Sequence, residues 1–468
     1  MCFFAGTNYF FLKQIYHKYK THYLSNLTLA LPVVISQLGH TLVHTADSII
    51  VGHFAGTIPL AAVSLVNSIF IVILVIGIGV SYGLTPLIAQ ESGRNNFKEC
   101  GKLLANSLLI NSILGFILFG LIYFGSLIFI DKIGQSPEVV EQSKPYLALL
   151  GFSIIPLMIF MTFKQFAEGL GFTKQAMMIS LWGNALNICL GIIFVKGLFG
   201  IESMGVSGVG WSTLIDRTLM AFVMAVYVLK SSHFKGYIRT FRLNAITKLR
   251  SLGILKIGTP VAMQYTFEVS AFSGAAVMIG TIGPTEQAAH QVAINMASMT
   301  YMMASGISAA ATIKTGNNFG KEDFLNLRLS AISSYHIVLI FMTLTAFLFA
   351  GLNELLPWIY TSDKSVINIA AQLLIIAGVF QLFDGTQVVG LGILRGIGDV
   401  NIPTFITFVA YWIIGMPVAY YLGIILDMGA NGIWYGLTLG LLVSAGLLFT
   451  RFQFFSKKLV QQARKELL

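Results

Sequence analysis

The sequence predicts an all-α integral membrane protein. Twelve transmembrane helices form two six-helix lobes, related by a parallel repeat about a pseudo-twofold axis along the membrane normal. Three observations predict it. Of 468 residues, 56% are hydrophobic and only 10% charged, with a mean hydropathy of +0.80. Soluble domains carry about 25% charged residues, so lipid must cover much of this surface. Apolar runs of the ~20 residues needed to cross a bilayer recur along the chain, and the chain resembles itself after a fixed offset.

Taken in order, the apolar runs of the first half fall at 26–51, 60–90, 101–125, 147–170, 176–198 and 205–230. Those of the second half fall at 256–282, 288–313, 330–353, 366–392, 402–426 and 430–452. The first and seventh are expected to be the least apolar. The runs are continuously apolar where lipid-facing strands would alternate, which argues against a β-barrel. The predicted organisation is an interfacial N-terminal segment at 1–25, an N-lobe at 26–230 and a linker at 231–255. A C-lobe at 256–452 and a tail at 453–468 complete it.

The formal net charge is +10, yet the basic residues do not form one patch. They recur in alternate segments: Lys13, Lys18 and Lys20; Arg94, Lys98 and Lys102; Lys164 and Lys174; the linker; Lys321 and Arg328; Arg395; and the C-terminal tail. The positive-inside rule then places both termini and the linker in the cytoplasm of an inner-membrane protein. The basic balance is a topology signal, and nucleic acid is not needed to explain it. Cys2, Cys100 and Cys189 are scattered, with no metal or disulfide spacing. The N-terminus is apolar before it is basic, the reverse of a secretory signal.

Self-comparison aligns Gly77–Phe97 with Ala304–Phe324 at one offset (306 − 79 = 227 for Gly79 and Gly306). Glu168-Gly-Leu-Gly matches Arg395-Gly-Ile-Gly at the same offset, and Met204-Gly-Val-Ser-Gly matches Met428-Gly-Ala-Asn-Gly (428 − 204 = 224). Six spans separate the copies, an even number, so both start on the same side. Transporters place substrates and ions within or between such repeats.

Several motifs carry a family resemblance. Pro260-Val-Ala-Met-Gln-Tyr-Thr-Phe-Glu268, Ala288-Ala-His-Gln-Val-Ala-Ile-Asn295 and Asp384-Gly-Thr-Gln-Val-Val-Gly390 are three of them. With Leu31-Pro32, Asp47-Ser-Ile-Ile-Val-Gly52 and Thr85-Pro86, they resemble the multidrug and toxic compound extrusion (MATE) family, in particular its NorM-like bacterial branch. The resemblance covers the chain after about residue 25. It implies an antiporter that exports organic cations while sodium or protons enter, working by alternating access around a central cleft.

The informative residues are carboxylates within apolar runs. An acidic side chain at a span centre costs about 2.5–3.5 kcal/mol on the most lenient scales, and such residues commonly serve ions or protons. Glu268 and Asp384 lie deep in the seventh and tenth runs, with no basic residue within a helical turn. Each is expected to be protonated or cation-bound there. The alternative is a pair of structural acids hydrogen-bonded to neighbours such as Thr266 or Thr386. The resemblance implies that Glu268 and Asp384 bind the coupling cation, a possible Na+ among them, and that Asp47 is the first-half counterpart. It also implies that Gln264, His290, Gln291, Asn295, Phe380 and Gln387 line the cavity. Asn187 and His40 are first-half candidates for the same lining.

Two departures from the family pattern stand out. Where relatives carry a second polar residue four positions after Asn187, this chain has Gly191, with Asn184 a turn away as a substitute. Phe380 stands where sodium-coupled relatives are expected to carry Tyr; its ring can attract a cation but lacks the hydroxyl. Asp216-Arg217 in the sixth run belongs to no part of the family pattern. His40 and His44 have the spacing of a metal pair, but no third ligand is nearby and ordinary polar lining is the simpler reading. Pro32 is a candidate for helix bending coupled to Asp47.

No resident nucleotide, haem or metal is expected, and the only ion implied is a transported one. The expected partners are small organic cations and drugs together with membrane lipid, and the chain is expected to work as a monomer. A flippase for lipid-linked oligosaccharides is the nearest alternative, but it calls for a strongly basic cavity. An intramembrane enzyme would need paired Asp motifs or a His-rich cluster, and the sequence has neither.

Overall fold

The computed structural model describes the backbone of residues 2–132, 134 and 136–466, and the side chains of residues 18–128, 130–132, 134 and 136–463. Cys2 and the first seventeen side chains, with Arg464 and Lys465, lie outside the described side chains. The first half runs α1 (Cys2–Phe54), α2 (Thr57–Ser81), α3 (Leu84–Gly93), α4 (Phe97–Phe129), α5 (Pro137–Phe152), α6 (Ile154–Gly169), α7 (Thr173–Lys196) and α8 (Val206–Lys230). A short α9 (Lys235–Ile238) lies in the linker. The second half runs α10 (Lys248–Ile282), α11 (Pro284–Gly320), α12 (Phe324–Gly351), α13 (Lys364–Ile397), α14 (Asn401–Phe408), α15 (Met416–Tyr420) and α16 (Gly429–Glu466).

Local sequence sets the ends. Pro137 and Pro284 stand in the first turn of α5 and α11, where a missing N–H costs nothing. Asp323 and Asp363 cap α12 and α13 by accepting from the backbone N–H of Asn326 and Ser365, at 3.1 and 2.8 Å.

Eleven membrane-crossing segments are long and apolar enough to span a bilayer, among the described residues. The eighth, α11, is 37 residues long but falls outside that set, because Glu286, Gln287, His290, Gln291 and Asn295 crowd its first half. The first and seventh are, as expected, the least apolar of those eleven, and the eighth is less apolar still. In the first half the second and fourth spans are each broken, at Tyr82–Gly83 and at Ser153, whereas α11 and α13 run unbroken. The eleventh span is wound as π-helix over Val409–Gly415 and Tyr421–Ile425.

The repeat is written in the backbone as well as the sequence. Left-handed φ recurs at Asn95 (58°) and Glu322 (60°), at Gly171 (89°) and Gly398 (86°), and at Gly205 (52°) and Gly429 (62°). The first two pairs are 227 apart (322 − 95; 398 − 171) and the third 224 (429 − 205), the drift found in the sequence.

Two compact units result, one of residues 35–269 and one of residues 1–34 with 270–468. The divisions fall inside α1 and α10, whereas the repeat edges read from sequence are 26–230 and 256–452. Close packing explains where they fall. In the first unit a Cβ on Gly79 of α2 would stand 2.8 Å from the Ala262 nitrogen of α10. In the second unit a Cβ on Gly306 of α11 would stand 2.9 Å from the Val34 nitrogen of α1. The start of α1 also serves the second unit through Asn26, fully buried, which donates to Ser333 and Ser334 on α12 at 2.8 and 2.9 Å. Residues 18–25, expected as part of an interfacial segment, continue α1, and Tyr23 reaches His336 at 2.8 Å.

In the unit of residues 35–269, the linker is strapped to the start of α4. Asn106, fully buried, donates to Lys102 O and Ala245 O and accepts from Thr247 N and Ser251 Oγ. Arg250 forks onto Glu99, and Phe234 inserts among Phe166, Phe172 and Tyr227.

Candidate ion and substrate sites

In the unit containing α11–α16, Asp384 is 4% exposed on α13, and its Oδ1 has no hydrogen-bond partner among the described residues. Phe380 and Gln387 lie one turn before and after it on the same helix. Gln387 donates to the Tyr411 hydroxyl at 2.8 Å, leaving its own Oε1 without a partner. Phe380 packs on Phe272 (5.9 Å between centroids) and Trp434 (5.3 Å), and Phe272 also packs on Tyr411 (6.0 Å). The Trp434 indole donates to His290 Nδ1 at 3.1 Å. A carboxylate and an amide oxygen thus stand among aromatic rings, acceptors and π-faces suited to a cation. Tyr411 sits in the first π-wound segment, a local irregularity frequent at functional sites.

Threonine does not account for the acid. Thr386 spends its hydroxyl on Leu382 O (2.7 Å), as Thr266 does on Ala262 O (2.9 Å). Of the other sequence candidates, His290 joins the aromatic group, while Gln291 is exposed and donates to Asn295 at 2.9 Å. Gln264 and Glu268 lie on the part of α10 that belongs to the unit of residues 35–269, and both are buried.

In that unit Asp47 is 3% exposed on α1, and its Oδ1 has no partner among the described residues. Asn187 of α7 donates to Thr213 at 3.2 Å, leaving its own Oδ1 unpartnered. Asp216 and Arg217 of α8 are buried in the same interior, within electrostatic reach of Asp47. Sequence reasoning noted this pair without placing it. Its signal was the rarity of a charge pair inside a span. Gly191 offers no ligand: a Cβ there would meet Ile50 and Ser212 at 3.5 and 3.7 Å. Asn184 lies against α1 at Gly39. His40 is half-buried and His44 exposed. No metal-binding group of three such ligands exists among the described residues. Pro32 lies inside α1, two residues before the division between the units.

Two residues counted as loop charges are not in loops. Lys164 is buried in α6, 3.9 Å from Glu168 and 3.5 Å from the Ser36 hydroxyl, and Arg395 is buried in the last turn of α13. A charge count along sequence cannot separate a cation buried within a helix or its last turn from one in the loop that follows.

The MatE family profile matches residues 32–193 and again 260–421. The two matches are 228 residues apart at both ends (260 − 32; 421 − 193), so one profile recognises both halves.

The chain belongs to the MatE family.

It is 34% identical to multidrug resistance protein NorM of Photobacterium profundum, over 93% of this chain and 96% of that protein. It is 31% identical to multidrug resistance protein MdtK of Photorhabdus laumondii, over 94% and 97% of the two chains. Its fold matches the crystal structure of the eukaryotic MATE transporter AtDTX14 with a TM-score of 0.86, at 19% identity, covering 96% of this chain and all of that one. A MOP superfamily transporter from Pyrococcus furiosus matches with a TM-score of 0.85 at 21% identity. This MatE chain is therefore a multi-pass membrane protein of a transporter family, not an enzyme.

Proposed function

We propose that this MatE protein is a multidrug exporter that moves organic, often cationic, compounds by alternating access, driven by entry of Na+ or H+. The observation that carries the reading is Asp384. It is a carboxylate buried in a transmembrane helix, with an oxygen left without a partner among the described residues, beside an unpartnered amide oxygen and aromatic faces. Leaving such a group uncompensated is costly in a membrane interior, and a cation that comes and goes would repay the cost. Glu268 and Asp47, likewise buried, are the other coupling carboxylates in this reading. The relatives named as multidrug resistance proteins support it.

The protein acts in the inner membrane with both termini in the cytoplasm, as a monomer among lipids and without a resident cofactor; the alternation of basic segments supports that orientation. The basic cavity that a lipid-linked oligosaccharide flippase needs finds no support in residues 35–269. There Lys164 faces Glu168, and Arg217 lies within electrostatic reach of two acids.

The test is efflux of ethidium from proteoliposomes under separate sodium and proton gradients. Asp384→Asn and Glu268→Gln should each abolish export driven by the coupling ion. Unchanged gradient-driven export in both variants would remove these residues from the coupling mechanism.

A further inference from the structure

The unit of residues 35–269 holds a charge arrangement that the family pattern did not lead us to expect. Two acids, Asp47 on α1 and Asp216 on α8, are 3% and 4% exposed, and each has an Oδ1 with no partner among the described residues. Arg217 lies within electrostatic reach of both. Among the described residues, however, no ion pair within 4.0 Å joins it to either acid. Its Nη1 instead donates to Ser153 Oγ at 2.7 Å, and the guanidinium lies 5.2 Å from the centre of the Phe70 ring. Ser153 is the residue at the break between α5 and α6.

Asp216 has been given room. Across from it α7 carries Gly183, where a Cβ would stand 2.5 Å from Asp216 Oδ1. A second carboxylate therefore enters this interior from α8, while Gly191 of α7 contributes none.

We propose that Arg217 is the specificity-determining residue of this site. It is a tethered cation that offsets one of the two carboxylates, Asp47 and Asp216, so that the pair accepts one monovalent charge, a proton or an organic cation, and excludes sodium. This rests on the reading of Asp47 as a coupling carboxylate. A small, strongly hydrated ion is extracted from water only by concentrated negative charge and several oxygens, and a fixed guanidinium nearby cancels half of that charge. A proton needs one oxygen. A bulky organic cation loses little hydration and gains from apolar and aromatic contact. Parked on Ser153, the guanidinium leaves the carboxylates open; turned toward them, it competes with the transported cation.

The experiment uses the purified full chain carrying Glu268→Gln and Asp384→Asn, so that binding reports this site. Equilibrium binding of tetraphenylphosphonium is measured at fixed pH, with sodium chloride titrated against choline chloride. The parent should bind tetraphenylphosphonium without competition from sodium. Adding Arg217→Gln should tighten binding at least tenfold and make sodium a competitor, while Arg217→Lys should keep the parent behaviour. Ser153→Ala keeps the charge but removes its resting partner, and should weaken binding severalfold. A merely structural Arg217 predicts the opposite sign for Arg217→Gln, namely lost binding, and that result overturns the proposal. So does Arg217→Gln binding that is unchanged and still indifferent to sodium. If Arg217→Gln does not fold, Ser153→Ala decides, with unchanged or tighter binding overturning the proposal. A parent that binds no tetraphenylphosphonium overturns the reading of Asp47 itself.

Discussion

Replacing Gly396 by Ala should cost far more than replacing its repeat mate, Gly169. The two glycines are equivalent by sequence, 227 residues apart (396 − 169), yet they meet different neighbours. A methyl on Gly396 would press on Thr315 Oγ1 and stand 2.6 Å from the Thr312 carbonyl oxygen and 3.0 Å from the Gly316 nitrogen. Backbone cannot rotate aside, so α11 and α13 would have to part by most of an ångström. That seam is also tied by Ser308, Thr312 and Thr315, donating to Val388 O, Gly392 O and Ile393 O at 2.7, 2.8 and 3.2 Å. Hydrogen bonds between membrane helices are worth on average about 0.6 kcal/mol, so losing three costs about 2 kcal/mol. Overpacking adds about 1–3 kcal/mol, for a total of roughly 3–5 kcal/mol. At Gly169 the new methyl would meet Ile88 Cβ at 2.9 Å and the Thr85 carbonyl at 3.0 Å. Ile88 can give a few tenths of an ångström, and Thr85 bonds to Gln165 through side chains across that seam, where no backbone carbonyl is the acceptor. There roughly 1–2 kcal/mol is expected. Denaturant titration of both variants in one detergent reads the difference. Equal destabilisation, or a larger loss at Gly169, would refute the argument that backbone-on-backbone contact sets the cost.

Two further perturbations follow from buried polar groups. Lys164→Met leaves Glu168 buried without its cation and should destabilise by about 3–5 kcal/mol, while Lys164→Met with Glu168→Gln should recover most of it; parallel unfolding titrations compare the two. Asn106→Ala removes the three bonds by which this side chain holds the linker, to Ala245, Thr247 and Ser251, and should speed tryptic cleavage between Arg242 and Arg250 at least tenfold. Arg250→Ala loses a partly exposed ion pair with Glu99, worth about 0–1 kcal/mol, and the longer bonds to Ala245 O and Thr247 Oγ1, so cleavage faster than in Asn106→Ala would sink this account of the strap.

The architecture was legible because lipid imposes it: a span must be apolar for ~20 residues, and a duplicated bundle keeps its turn residues. Hence the 227-residue offset found in the sequence reappears in the left-handed φ of Asn95 and Glu322, and of Gly171 and Gly398. The interior acids were legible for the same reason, since Asp47 and Asp384 stand against apolar surroundings. What stayed hidden depends on rotation about the helix and on partners distant in sequence. Lys164 and Arg395 read as loop charges but end up buried, Lys164 within α6 and Arg395 in the last turn of α13. Gln291 follows His290 in one motif, yet the ring turns inward to Trp434 and the amide outward to Asn295. The breaks of the second and fourth spans and the π-wound eleventh left no pattern that apolar periodicity alone could separate from regular helix.

The polar interiors of the halves are not copies of each other, and the repeat mates show how they parted. Asp384 corresponds to Leu157 and Phe380 to Ser153 (384 − 157 = 227; 380 − 153 = 227). Where α13 runs unbroken and packs an aromatic ring beside its acid, the first half breaks its helix and uses the freed position to hold Arg217. Glu168, paired with Lys164, corresponds to Arg395, so even the sign of the charge at this point is exchanged. Two copies of one scaffold that kept the same acids would compete for the same ion. With unlike chemistry, one interior can hold a carboxylate with no basic neighbour on its own helix while the other holds two carboxylates offset by a tethered guanidinium. The two sites can then differ in the cation they take up and in the conditions under which they release it.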